Sequence, residues 1–238
     1  MKIEILYPSL ASFYGEAVGL RYIKQCLPEA EWVETELFEQ PAFTKEHIDL
    51  VYLGPMTENG QELVINELRP YIRQIHEYII SDAVFIAVGN ALEVFGKYIE
   101  NEDGSKIEGL GIFDTTAKRK MMERYNSLYL GTLGDIKIVG FKAQFTHTYP
   151  NAEVQTLFRN VRGDGLCPGY PGEGIRRNNF MGTYLLGPLF VTNPAFTKYV
   201  MKLLGVENPV LPYEKDVTAA YEKRLAEFEK AETKYKYD

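Results

Sequence analysis

Few side chains in this sequence can serve as nucleophiles. The chain has 2 cysteines in 238 residues. Cys26 lies on the apolar face of a predicted helix, and Cys167 lies in a glycine-rich loop, residues 163–174, with no basic residue beside it. A thiol without a neighbouring positive charge or base stays protonated and unreactive near neutral pH. We therefore expect Cys26 to be a core residue and Cys167 to be inert.

Candidates for proton transfer are equally few. Of the 3 histidines, His147 alone lies near a segment expected to line a site, and we expect it to have a surface or structural role; His47 and His76 lie far from that segment. Glu93 could act as an acid or base if burial desolvated its carboxylate. Its position in a predicted helix favours a salt bridge or a helix cap instead.

Residues 83–96 form the element that must position any reacting group. Residues 83–88 are apolar or small, which is typical of a strand buried on both faces, and residues 89–91 lead into a short amphipathic helix. A strand, sharp turn and helix of this kind raise one residue above the carboxyl end of a central strand, where helical N–H groups favour negative charge. Here that residue is Gly89, which has no side chain to react.

The alternation of apolar segments predicts an α/β fold with a mostly parallel sheet and right-handed crossovers. Binding sites in such folds lie beyond the carboxyl ends of the strands. Residues 135–141 alternate as an antiparallel strand would. The other predicted strands are 3–7, 32–37, 48–54, 83–88, 110–114 and 183–190, and the predicted helices are 15–26, 60–80, one opening at Asn193, and one over 217–228.

The composition excludes several classes of protein. A net charge of −7 gives no basic surface for nucleic acid or anionic membranes. No stretch reaches 18 apolar residues, and Glu4 interrupts the start of the chain where a signal peptide would be apolar. The cysteines are too few for a disulfide framework or a zinc site. We expect a cytoplasmic protein without a metal or cofactor.

The composition changes near residue 206, where a charged segment begins. An apolar stripe in its helix, at Val217, Tyr221, Leu225 and Phe228, is typical of a helix that packs back on its own domain. We expect a main domain over 1–205 and a helical extension over 206–238.

Four segments together form a recognisable pattern: Gly182-Thr-Tyr-Leu-Leu-Gly-Pro-Leu-Phe190 followed by Asn193-Pro194, Phe13-Tyr-Gly-Glu16, Leu53-Gly-Pro-Met-Thr-Glu58 with Gln61, and residues 103–115. They resemble the glutamine amidotransferase domains of the cobyric acid synthase (CobB/CobQ) type, including the glutaminase subunit of lipid II isoglutaminyl synthase. The first segment is the most specific, because it is similar to the family pattern Gly-Thr-Tyr-Leu-His-Gly-Pro-Leu-Leu followed by Asn-Pro. The resemblance covers residues 1–205. The resemblance implies the class I amidotransferase (flavodoxin-like) fold with an antiparallel extension.

The family hydrolyses the side-chain amide of glutamine with a cysteine nucleophile and a histidine proton relay. Its elbow, Cys-Gly-Gly-Tyr-Gln-Leu-Leu-Gly, places the cysteine at Gly89 and the glutamine at Glu93 when aligned on Gly96. Its histidine falls on Leu186. Pro55 stands where the family has a glycine that offers a backbone N–H, and proline has no N–H to offer. Ala143 and Gln144 stand where the family has Asn-His. The thiol, the imidazole and parts of their frame are thus absent together.

We therefore expect a catalytically inactive member that serves as a binding or regulatory subunit. The expected pocket residues are Gly54, Pro55, Gly89, Asn90, Glu93, Gln144 and Leu186. The resemblance implies a Mur-ligase-like or cobyrinate-type ATP-dependent synthetase as partner. Two alternatives stay open. The first is an active amidase that supplies ammonia through a non-standard site, in which Glu93 acts as the acid or base and Asn90 orients a water. The second is glutamine sensing without hydrolysis.

Overall fold

A nine-stranded sheet forms the centre of the protein, and a four-stranded sheet lies beside it. The structure is a computed structural model and describes residues 1–237. The strands are β1 (Lys2–Leu6), β2 (Glu31–Thr35), β3 (Leu50–Leu53), β4 (Val84–Val88), β5 (Tyr98–Glu100), β6 (Lys106–Glu108), β7 (Thr115–Arg119), β8 (Tyr125–Leu133), β9 (Ile136–Gln144), β10 (Thr146–Pro150), β11 (Gln155–Arg162), β12 (Gly172–Arg177) and β13 (Phe180–Thr183). The helices are α1 (Glu16–Cys26), α2 (Glu58–Leu68), α3 (Ile72–Ile80), α4 (Ala91–Val94), α5 (Leu189–Thr192), α6 (Pro194–Leu203) and α7 (Glu214–Glu229).

The large sheet has a parallel part and an antiparallel part. Its order is β2-β1-β3-β4-β13-β12-β11-β8-β9. The strands from β2 to β13 pair in parallel, and those from β13 to β9 pair antiparallel. The small sheet has the order β10-β7-β5-β6. This arrangement confirms the predicted α/β fold with an antiparallel extension.

Strand β4 lies at the middle of the core because both of its faces are apolar. All of its residues are buried. Phe85 and Ala87 join the core cluster that includes residues of α2 and α3, and Val84, Ile86 and Val88 join the cluster that includes residues of α1 and α6. Successive strand side chains point to opposite faces, so helices must cover both sides of β4.

Three of the predicted elements differ from those observed. The single helix predicted over 60–80 is interrupted at a 3₁₀ turn, Arg69–Tyr71, because Pro70 lacks an N–H for a helical hydrogen bond. The strand predicted over 110–114 is a loop, and β7 begins after it at Thr115. The strand predicted over 183–190 spans Phe180–Thr183 instead. Its pairing with β4 ends at Thr183 and Val88, so the residues after Thr183 leave the sheet at its carboxyl edge.

The C-terminal segment packs against the antiparallel part of the large sheet. Phe228 of α7 and Tyr235 form a small core with Leu130 and Val139. The Arg162 guanidinium donates to the carbonyl oxygens of Phe228 at 2.9 Å and Thr233 at 3.0 Å, and it also donates to that of Lys230. The tail is therefore fastened to β11 through its backbone. No helix within residues 1–237 is both long and apolar enough to span a membrane.

Candidate functional site

A pocket of about 90 Å³ lies beyond the carboxyl ends of the parallel strands. The segments that follow β1, β3, β4 and β13 each contribute to its wall, together with the segment between β9 and β10. Its exposed lining residues are Phe13, Tyr14 and Thr57, and its buried ones include Met56, Gln61, Gly89, Glu93, Gln144, Thr146, Tyr184 and Leu186. The site is thus built where the fold class places binding sites.

The structure brings most of the predicted pocket residues together. Gly89, Asn90, Glu93, Gln144 and Leu186 line the pocket. Gly54 and Pro55 do not line it, and Pro55 packs against Gly89 instead. Positions 89 and 186, far apart in the sequence, therefore share one cavity.

The turn at Gly89 is closed to any side chain. Gly89 has φ +65°, a left-handed conformation that a residue with a Cβ adopts at a cost. A Cβ at this position would lie 2.6 Å from the Cβ of Pro55. The Gly89 N–H donates to the Thr183 carbonyl at 2.7 Å, which fixes the turn beside β13. The backbone has the sharp strand-to-helix turn of a nucleophile elbow, while Pro55 occupies the space that a nucleophile's side chain would need.

Leu186 supplies an apolar wall at the opposite side of the turn. Its N–H donates to the Phe141 carbonyl at 3.0 Å, so an isolated bridge holds it against β9. The carboxylate of Glu16 supports the following turn by accepting from the Gly187 N–H at 3.1 Å. Leu186 is buried but leaves the pocket open above Gly89. A small molecule therefore still fits there.

Glu93 is the centre of a buried polar network. Its carboxylate accepts from the Gln61 side-chain amide at 2.9 Å and from the Tyr184 hydroxyl at 2.8 Å. Burial raises the pKa of Glu93 to about 7, while the hydrogen bonds from Gln61 and Tyr184 and the charge of Arg119 limit the rise. Arg119 reaches the network only through Gln61, whose side-chain oxygen it contacts at 3.1 Å. Glu93 can therefore exchange a proton near neutral pH.

The side chain of Asn90 is engaged with the backbone of Met56. Its Oδ1 accepts from the Met56 N–H at 3.0 Å and its Nδ2 donates to the Met56 carbonyl at 2.9 Å. These paired bonds hold the segment after β3 against the turn after β4. Asn90 is thus a structural clamp in this arrangement, and the expected role of orienting a water for Glu93 finds no support in its contacts.

Gln144 lines the pocket and carries a buried side-chain carbonyl oxygen. Its Nε2 donates to the carbonyls of Thr146 at 2.6 Å and Leu166 at 3.0 Å, which fixes the orientation of the amide. Within residues 1–237 its Oε1 has no hydrogen-bond partner, although the side chain is buried. A buried acceptor without a donor is unusual in a folded protein.

The cysteines and histidines lie outside the pocket. Among the residues that the structure describes around it, none is a cysteine or a histidine. Burial raises the pKa of the Cys26 thiol to about 11 and also raises the pKa of Cys167. His147 is buried against the Tyr125 ring, with centroids 4.3 Å apart, and its burial lowers its pKa. Across residues 1–237, His, Cys, Asp and Glu form no group of three or more that could hold a metal ion.

Sequence reasoning did not assign three members of the Glu93 network to the site. Arg119 gave no signal, since its spacing marks no site, and Tyr184 appeared only within the family-like segment 182–190. Thr146, whose hydrogen bond lowers the pKa of Glu93, begins a strand that was not predicted. Gln61 was noticed only as part of a family-like segment. The small sheet carries Arg119 to Gln61 and Thr146 to the pocket wall. The pairing of its strands was not predicted from local patterns.

The sequence is similar to a family of glutamine amidotransferase domains and to two of its relatives. Residues 2–194 match the family described as the CobB/CobQ-like glutamine amidotransferase domain. The protein named lipid II isoglutaminyl synthase (glutamine-hydrolyzing) subunit GatD from Streptococcus pneumoniae (strain ATCC BAA-255 / R6) is 25% identical over 205 residues, 81% of this chain and 76% of that protein. The protein of the same name from Staphylococcus aureus (strain N315) is 27% identical over 179 residues, 75% of this chain and 72% of that protein.

Solved structures share the fold. A crystal structure of a glutamine amidotransferase superposes with a TM-score of 0.57 at 13% identity, covering 85% of this chain and 99% of the other. A glutamine amidotransferase from Thermotoga maritima gives a TM-score of 0.53 at 10% identity, covering 95% of this chain and 92% of the other. At these identities the likeness concerns the fold alone.

Proposed function

We propose that this chain, which belongs to the CobB/CobQ-like glutamine amidotransferase family, does not hydrolyse glutamine and serves as a binding or regulatory subunit. The observation that carries the proposal is the contact between Pro55 and Gly89. With a Cβ at position 89 only 2.6 Å from that of Pro55, the elbow has no room for a nucleophilic side chain.

The chemistry of the pocket wall supports the same proposal. Amide hydrolysis by this family's route needs a thiolate to attack the carbon and an imidazole to protonate the leaving ammonia. The aligned positions, Gly89 and Leu186, both line the pocket and offer neither group. Loss of the nucleophile or its base in a hydrolytic triad lowers kcat by a factor on the order of 10⁶. A pocket without both would turn over glutamine no faster than background.

A partner subunit completes the proposal. The two relatives described above are named as subunits of a glutamine-hydrolysing synthase. By analogy, this chain would bind an ATP-dependent synthetase of the Mur-ligase-like or cobyrinate type. Its role there would be to occupy the place of a glutaminase and to bind a small ligand, without supplying ammonia itself.

One observation favours a second candidate, an amidase with a non-standard site. Glu93 has a pKa of about 7 and lies in the pocket with Tyr184 donating to it. A carboxylate with such a pKa suits general-base activation of water. However, Gln61 and Tyr184 already donate to its two oxygens, so a water would have to share them.

An ammonia-release assay with glutamine separates these candidates. The chain is assayed alone and together with any ATP-dependent synthetase that copurifies with it, beside the variants Cys167→Ala and Glu93→Gln. We expect all samples to match the no-protein background. Turnover by the wild type that Cys167→Ala abolishes would refute the proposal in favour of a displaced thiol. Turnover that Glu93→Gln abolishes would establish the amidase instead.

A further inference from the structure

We propose that the pocket above Gly89 binds a small primary ammonium cation, held between the carboxylate of Glu93 and the side-chain oxygen of Gln144. The inference rests on the binding role proposed above and specifies the chemistry of the ligand. Both residues stand where the sequence departs from the family pattern, since Glu93 falls at a glutamine and Gln144 at a histidine. These two departures are separate from the loss of the thiol and the imidazole at positions 89 and 186, and they give the pocket a carboxylate and an amide oxygen as hydrogen-bond acceptors.

Gln144 provides the first argument. Its amide nitrogen is held by the backbone carbonyls of Thr146 and Leu166, so the amide cannot turn its N–H groups toward the pocket without breaking two hydrogen bonds. The remaining Oε1 is buried and lacks a donor within the part of the chain that the structure describes. An unpaired buried acceptor carries a desolvation cost that a ligand N–H would remove.

The charge of the lining provides the second argument. Glu58 and Glu93 line the pocket, and none of the lining residues that the structure describes is a lysine or an arginine. Arg119 donates to Gln61 and not to the Glu93 carboxylate. The pocket therefore has acidic groups without a direct counter-charge, and burial strengthens their attraction for a cation.

The pocket is large enough for a small cation with an alkyl group. Its volume of about 90 Å³ exceeds the roughly 10–15 Å³ that a cavity needs to hold one water. Phe13, Tyr14 and Phe145 line it as well. Aromatic faces attract cations and also accommodate an alkyl chain. A primary ammonium group has three N–H donors, enough for Glu93, Gln144 and one ring or water.

Binding should be linked to the protonation of Glu93. The groups that face its carboxylate are Gln61 from α2, Arg119 from β7, Thr146 from β10 and Tyr184 after β13. The pKa of Glu93 is about 7, and a cation beside it favours the ionised form. The ligand then binds the ionised fraction of the protein, which increases about tenfold between about pH 6 and pH 8.

Calorimetric titration of the full chain with methylammonium chloride tests the inference, with sodium chloride at equal ionic strength as the reference. The variants are Glu93→Gln and Gln144→Met, and Glu153→Gln is the matched control because it changes an exposed carboxylate outside the pocket. Circular dichroism verifies that each variant is folded. We expect saturable binding that is about tenfold tighter at about pH 8 than at about pH 6, at least tenfold weaker in Glu93→Gln, weaker in Gln144→Met and unchanged in Glu153→Gln.

Three outcomes would overturn the inference: no heat beyond that of sodium chloride, unchanged affinity in Glu93→Gln, or equally tight binding of acetamide, which is neutral and has no ammonium group. None of these outcomes would contradict the proposed lack of glutamine hydrolysis. Conversely, ammonia release from glutamine would refute the proposed function whether or not methylammonium binds. The two experiments therefore fail independently.

Discussion

Replacing Gly89 by cysteine should destabilise the protein by about 2–5 kcal/mol and should not create a working nucleophile. The new Cβ would lie 2.6 Å from the Cβ of Pro55, roughly 1 Å inside an ordinary carbon–carbon contact. Overpacking of this kind costs about 1–3 kcal/mol. The left-handed φ of +65° adds about 1–2 kcal/mol for a residue with a Cβ.

A double-mutant cycle isolates the contact from the backbone strain. Pro55→Gly removes the clashing atom, so in that background Gly89→Cys should cost only the strain of about 1–2 kcal/mol. The difference, a coupling of about 1–3 kcal/mol, is the steric share. Pro55→Ala is the matched control because alanine keeps the Cβ, and Gly89→Cys should remain fully destabilising beside it.

Urea unfolding followed by circular dichroism measures each free energy of unfolding. The reasoning would be refuted if Gly89→Cys alone cost less than about 0.5 kcal/mol, the level of an uneventful surface change. It would also be refuted if Pro55→Ala relieved the cost as fully as Pro55→Gly. In either case the space beside Pro55 would admit a side chain at position 89, and the elbow could hold a nucleophile.

Three further predictions concern buried charges and the tail. Burial raises the pKa of Glu93 from 4.5 in the unfolded chain to about 7, so its protonation stabilises the folded protein below pH 4.5 and this contribution is lost as the pH rises through 7. The contribution amounts to about 3 kcal/mol. The free energy of unfolding of the wild type should therefore fall by about this amount relative to that of Glu93→Gln across the same pH range. The Lys142 Nζ is fully buried 3.8 Å from the Glu173 Oε1, and Lys142→Met should cost about 3–5 kcal/mol in urea unfolding because it leaves that buried carboxylate without a counter-charge. Adding Glu173→Gln should recover part of the loss, and strictly additive costs in the double variant would contradict this. Arg162→Ala should cost about 1–3 kcal/mol through its lost hydrogen bonds to tail carbonyls, and it should speed amide exchange of residues 233–237. Unchanged exchange would show that the hydrogen bonds of Tyr235 and Tyr237 to β8 hold the tail without Arg162.

The fold was largely readable from local patterns because its central strands are apolar on both faces. The run over 83–88 predicted β4, and the small residues after it predicted the turn at Gly89. The strand predicted over 183–190 was displaced because its apolar residues belong partly to the pocket wall and to α5. The small sheet was missed because β5 and β6 are only three residues long, too short for a periodic signal.

The candidate site was predictable at the positions that a family pattern supplied. It was not predictable where contacts between distant segments determine which residues meet. Gly89 and Leu186 came from the pattern, and the structure places both at one pocket. The close approach of Pro55 to Gly89 depends on the distance between two loops, which no sequence pattern encodes. The link from Arg119 through Gln61 to Glu93 likewise needs the small sheet to be in place. Local propensity describes elements, while these contacts arise from their assembly.

The packing of Pro55 on Gly89 also sets the order in which evolution could add a thiol to this elbow. A cysteine gained first would meet the proline ring, and selection for a folded protein would remove it. Pro55→Gly would have to become established before Gly89→Cys, although by itself Pro55→Gly brings no catalytic advantage. Such epistasis keeps a lineage with this sequence away from cysteine chemistry even while the surrounding scaffold persists.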